Sequence, residues 1–183
     1  VSTVRGHWFS GGGRTLTRSD DEWARFMQEH PAVQSAAFQA FLKKAEIIAG
    51  GNVKAGAFTT SPATQAIIDD TYMLRMTFNY VDYYATGNFH LNIVDGRKRV
   101  TFTNTRHIIR DIMSSNTWGD WLTIDVPMVF GSFHQGLGLS DWSAFDPFLV
   151  EISWAGEEIV FEERNGVLRL KGKGRSNVNC SRR

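Results

Sequence analysis

Asn88-Phe89-His90-Leu91-Asn92-Ile93-Val94-Asp95-Gly96-Arg97-Lys98-Arg99-Val100-Thr101-Phe102-Thr103 is the stretch that decides the fold. Asp-Gly is a preferred two-residue hairpin turn, because both positions accept positive φ. With Asp95-Gly96 as the turn, Leu91 faces Val100 and Phe89 faces Phe102, so one face is apolar. The opposite face sets His90 against Thr101, Asn92 against Arg99 and Asn88 against Thr103. Turn chemistry, register and face polarity agree, which predicts an antiparallel hairpin with one buried side.

Outward from this hairpin the same logic yields more strands. Leu74, Met76, Phe78 and Tyr80 alternate with polar residues, as do Leu122, Ile124 and Val126 before Pro127. Residues 148–154 read as a strand. Asn165-Gly166 predicts a second hairpin in which Phe161 faces Leu170 and Glu162 faces Arg169. Residues 130–139, punctuated by Gly131, Gly136 and Gly138, read as a loop.

The N-terminal part reads as helical. Ser19-Asp20-Asp21-Glu22 has the pattern of a capping box, with Ser19 as the cap. Trp23, Phe26, Met27 and His30 follow at helical spacing, so His30 reads as the end of that stripe. Pro31 opens a second helix, with Phe38, Phe41, Leu42 and Ala45 as its buried face and Gly50-Gly51 at its end. Residues 61–70 predict a short helix capped by Ser61, and residues 106–113 predict a short helix or turn. The fold class is therefore α+β, an N-terminal helical pair packed on a mostly antiparallel β-sheet. One domain is expected over residues 1–183, with a helical part at about 19–70, a β-rich part at about 71–171 and a basic tail at 172–183.

A net charge of +1 hides a segregated chain. Residues 111–163 contain no Lys or Arg but hold ten acids and four of the six tryptophans. Arg97, Lys98, Arg99, Arg106 and Arg110 precede that stretch, and Arg169, Lys171, Lys173, Arg175, Arg182 and Arg183 follow it. Such segregation points to a partner or substrate surface. Cys180 is the one cysteine, so the core must be held by packing. No apolar run reaches the roughly 20 residues of a transmembrane helix. Residues 1–9 lack the apolar segment of a signal peptide, and the absence of an initiating Met suggests a domain of a longer protein.

His90 lies on the polar face of the hairpin near Arg99 and Thr101, a trio suited to holding an anion or moving a proton. An ordinary exposed strand histidine is the plainer reading. His107 and Asp111 share a face if residues 106–113 are helical, which would orient the imidazole as a base; a solvated helix with i,i+4 pairs is the alternative. His134 lies in the glycine-flanked loop. His90, Arg99, His107 and His134 are the candidate catalytic residues. Trp118, Trp121, Trp142 and Asp141 are the candidate substrate-binding set, because sugar clefts combine flat aromatic faces with carboxylates. Asp120, Asp125 and Asp146 extend that set toward a glycan hydrolase, which needs two carboxylates. Tryptophans filling the core and acids forming a solvated rim would look the same. No zinc or calcium spacing, phosphate loop or serine-hydrolase elbow is present, and no cofactor or metal is implied. The basic clusters can contact phosphates or an anionic membrane surface, without a recognised nucleic-acid motif.

The glycine-rich entry Gly6–Gly13, the helical pair and the hairpin over residues 87–96, in a small unit without its own signal, resemble the C-terminal toxin domains of secreted bacterial effectors and polymorphic toxins. The resemblance implies a secreted antibacterial effector acting on the cell envelope or another essential target, with a cognate immunity protein as partner and an envelope glycan or lipid as possible target. Lipid II-cleaving colicins carry an Asp-x-Tyr-Asp run. Here Asp70-Thr71-Tyr72 is followed by Met73 in place of the second Asp, so no catalytic residue is carried over. A different class of function is a non-enzymatic glycan- or protein-binding module.

Overall fold

The structure is a computed structural model that describes residues 7, 13–68, 80–113 and 148–171. It is an α+β fold. The chain runs β1 (Leu16–Ser19), α1 (Glu22–Glu29), α2 (Pro31–Gly50), β2 (Ala55–Thr59), β3 (Thr64–Ile67), β4 (Tyr80–Val94), β5 (Arg97–Met113), β6 (Phe148–Ala155), β7 (Ile159–Arg164) and β8 (Val167–Leu170). All eight described strands join one sheet, antiparallel except for the β1–β6 pair.

The two long strands, β4 and β5, form the spine. Their register sets Leu91 opposite Val100, Phe89 opposite Phe102 and His90 opposite Thr101, as the turn chemistry predicts. Asp95 and Gly96 both have positive φ, at 52° and 72°, so the turn has the handedness that matches strand twist. Asn165 and Gly166 repeat the geometry at 54° and 76°, with Glu162 opposite Arg169. Each spine strand shares its outer edge between two neighbours. β3 and β2 line β4, and β6 and β7 line β5.

The spine changes character at Gly87 and Asn104. Thr86 pairs with Arg106 but Asn88 pairs with Thr103, so β5 holds one extra residue. Asn104 absorbs it at φ 49°, as in a bulge. Consequently Val100 and Phe102 are buried, and then Thr105, His107 and Ile109. A Cβ at Gly87 would sit 2.8 Å from the Thr103 carbonyl oxygen, so only glycine fits opposite the bulge.

Both helices lie on one face of the sheet. α1 packs on β6 and β1, and α2 packs on β3, β4, β5 and β8. The core between them contains Phe41, Phe58, Phe102 and Phe161, with ring centroids 4.8–6.3 Å apart where they meet. α2 starts at Pro31, and His30 does more than end the first stripe: its Nδ1 accepts from the Ala32 N–H at 3.2 Å.

Four local expectations change. Residues 106–113 are strand, because the bulge breaks the alternation across 100–112 and β-branched Ile108, Ile109 and Ile112 suit a sheet. Residues 64–67 are strand β3; pairing to β4 overrides the helix-favouring Ala and Gln. With β2, this places sheet strands inside the part read as helical. Asp21, not Ser19, caps α1, accepting from the Trp23 and Ala24 N–H groups; Ser19 instead ends β1, which was not anticipated. Phe38 is 45% exposed, whereas Val33, Ala36 and Ala40 join Phe41 and Ala45 on the buried side of α2.

Candidate functional site

Strand alternation divides the candidate residues between two faces. His107 points to the helix side and is buried. Its ring stacks parallel to Trp154 at 5.2 Å and lies 5.7 Å from Phe41. Its Nδ1 is 2.6 Å from the Tyr83 hydroxyl. Burial pushes His107 down to about 4 and pushes the Tyr83 phenol up from its usual value. Both groups are therefore neutral near pH 7. The tautomer protonated on Nε2 lets the phenol donate to Nδ1. On the remaining side, Gly156 lies against the imidazole. The assembly ties β4, β5 and β6 together in an apolar setting.

Asp111 follows on the same face of β5. In a helix it would lie one turn from His107; along a strand, four residues span about 13 Å. Ile109 intervenes, so the two do not form an oriented base. Burial pushes the Asp111 carboxyl up to about 7, with the charge of Asp82 adding to the effect and a hydrogen bond from the Ile112 backbone opposing it.

These shifts predict a pH response. His107 titrates lower when folded than its ordinary 6.5, so acid favours the unfolded chain as pH falls toward 4. Asp111 titrates higher than its ordinary 3.8, so stability falls as pH rises toward 7. The two slopes oppose each other over the shared window. Asp111→Asn should remove one of them. Stability of that variant should rise by about 2–3 kcal/mol from pH 4.5 to 6.5, against a nearly flat profile for the parent. Urea denaturation across this range checks it, and a flat Asp111→Asn profile would contradict it.

His90 and Arg99 occupy the opposite face, which no described helix covers. His90 is exposed, between Thr101 on β5 and Ala55 on β2. Arg99 Nη2 donates to Glu162 Oε1 at 3.1 Å. Lys171 Nζ lies 3.8 Å from Glu162 Oε2, and Arg169 stands directly opposite in register. The Arg99 hydrogen bond, then the charges of Lys171, Arg99 and Arg164, hold the Glu162 carboxyl below its usual value. Three cations thus act on one acid, and a fourth faces it in register.

The other half of this face is balanced. Arg110 Nε donates to Glu151 at 2.9 Å, with its guanidinium 5.5 Å above the Tyr84 ring. Arg106 donates to Ser153 at 2.9 Å and to Ser19, and pairs with Asp20 at 3.3 Å. Asp20 Oδ1 also accepts from the Ala155 N–H, the main cause of its lowered pKa, and so closes the network.

Arg99 and His90 therefore share a face, as expected, and His107 lies on the other one. His134, Trp118, Trp121, Trp142 and Asp141 lie outside the described residues. Arg164, Lys171, Tyr83 and Trp154 were missed as site residues. The second hairpin's register already set Glu162 against Arg169, but nothing local indicates that β7 pairs with β5. Among the described residues, no three of His, Cys, Asp or Glu converge to hold a metal ion. No described helix is long and apolar enough to cross a membrane. No family model, curated protein or solved structure matches the chain.

Proposed function

We propose that the chain is a non-enzymatic protein-binding module that docks an acidic partner on the sheet face that no described helix covers. The observation that carries this reading is Glu162 acted on by Arg99, Arg164 and Lys171, with Arg169 opposite in register, on the face that no described helix covers. Glu162 orders Arg99, and the remaining positive charge has one carboxylate to share. Such a field steers and orients an acidic surface. A protein partner is favoured over single-stranded nucleic acid because no Phe, Tyr or Trp accompanies the described residues of this cluster to stack bases. Binding rather than catalysis is favoured because His107 is enclosed and neutral, on the far side from His90 and Arg99. Toxicity, delivery and an immunity partner rest on the layout of the sequence alone.

Poly-L-glutamate is the probe. Arg164→Glu with Arg169→Glu leaves the Arg99–Glu162 pair in place and should weaken binding by about tenfold or more. Lys43→Glu with Lys44→Glu changes the net charge equally on α2 and should leave binding near the parent value. Equal losses from both pairs, or none from the first, would sink the proposal.

A further inference from the structure

The end of the molecule that carries both β-turns gathers exposed aliphatic and basic side chains. Three hydrogen bonds gather its loops. Lys98 N donates to Glu163 Oε2 at 3.3 Å, bringing the two turns together. Lys98 Nζ donates to the Ala49 carbonyl at 2.7 Å, fixing the C-terminus of α2 there. Leu91 N donates to the Lys54 carbonyl at 2.6 Å, holding the α2–β2 loop against the hairpin.

Each of these three segments exposes an aliphatic side chain at this end. Val53 is 63% exposed, Ile93 70% and Val167 55%. Ile93 follows the alternation of buried Phe89 and Leu91 but lies past the end of α2, where no described residue covers it. Arg97 and Lys98 follow the first turn, Arg164 precedes the second, and Lys54 follows Val53. Asp95 and Glu163 are the acids among them. Exposed aliphatics on one loop and at two hairpin ends, rimmed by an excess of cations, differ from a protein hot spot, which concentrates Trp, Tyr and Arg in a packed centre. Aliphatics at such tips enter a fluid hydrocarbon boundary without needing a complementary shape, and flanking Lys and Arg are attracted to anionic headgroups.

The geometry points to peripheral docking of this end on an anionic lipid surface, with Val53, Ile93 and Val167 inserted and Lys54, Arg97, Lys98 and Arg164 at headgroup level. This contact is separate from the proposed acidic-partner site, although Arg164 borders both. It requires no membrane-spanning element.

Sedimentation with vesicles of phosphatidylcholine alone, and with phosphatidylserine added, tests it on the whole chain. Binding should require the anionic lipid and weaken as salt is raised. Ile93→Asp should reduce partitioning by about tenfold, and Val53→Asp should act in the same direction. Both sites are exposed, so neither change should alter the thermal unfolding midpoint appreciably. Ile112→Asp, a 66%-exposed aliphatic at the far end of β5 from the turn, is the control and should bind like the parent. Absence of binding to anionic vesicles overturns the proposal, as does binding indifferent to Ile93→Asp. Self-association that Ile93→Asp abolishes, without any vesicle binding, would assign this end to a second copy instead. Because Arg169→Glu alters only the Glu162 cluster, loss of poly-L-glutamate binding with vesicle binding retained separates the two surfaces.

Discussion

Phe102→Ala is expected to destabilise the protein by about 3–5 kcal/mol, the largest effect of any single substitution considered. Phe102 is fully buried. Its ring meets Phe58 of β2 at 4.8 Å, Phe41 of α2 at 5.1 Å and Phe161 of β7 at 6.3 Å. One side chain on the central strand therefore joins the helix to both outer strands of that half of the sheet. Edge-to-face aromatic pairs contribute beyond the area they bury, and alanine would leave a cavity lined by three rings that cannot all collapse inward. Phe102→Leu, which keeps most of the volume, should cost clearly less. Urea denaturation measures both, and a loss below about 1 kcal/mol for alanine would contradict the packing described.

Gly156→Ala should destabilise by about 1–3 kcal/mol although it adds a single methyl group. The new Cβ would collide with His107 Nε2 and the Thr105 hydroxyl, and would lie 2.6 Å from His107 Cδ2. The imidazole has no easy retreat, since Tyr83 holds Nδ1 and Trp154 covers one face. The backbone is fixed as well, because Gly156 N donates to the Thr105 carbonyl at 2.9 Å. His107→Ala should recover part of the loss in the Gly156→Ala background. A double-mutant cycle reads this coupling directly. Additive effects would mean that the ring and the glycine do not press on each other.

Legibility in the sequence followed the range of the interactions. Both hairpins were readable because Asp95-Gly96 and Asn165-Gly166 impose their turn type on adjacent residues. Pro31 marked the start of α2 for the same reason. β1 was not readable: Leu16 gains its partner from Val150, and four residues carry too little period to stand alone. The local sequence of β3 favours helix, and its pairing to β4 lies outside that sequence. The bulge at Asn104 hid the length of β5, since one extra residue makes buried positions 100, 102, 105, 107 and 109 look aperiodic.

The candidate site divides in the same way. Placing His90 near Arg99 needed only the hairpin register. Setting Arg99 beside Glu162 needed β7 to lie beside β5, a contact across about sixty residues of sequence. A helix would pair His107 with Asp111, and the strand sets them apart while keeping them on one face. Spacing of four residues marks a shared side in both geometries, so it could not reveal the distance.

NMR of the isotope-labelled protein during titration with poly-L-glutamate tests the central claim most directly. The account predicts shifts centred on Arg99, Glu162, Arg164, Arg169 and Lys171, reaching His90, while the Tyr83, His107 and Trp154 signals stay in place. Shifts centred on His107 and Asp111, with the Glu162 cluster unmoved, would contradict it and return function to the helix-covered side of the sheet.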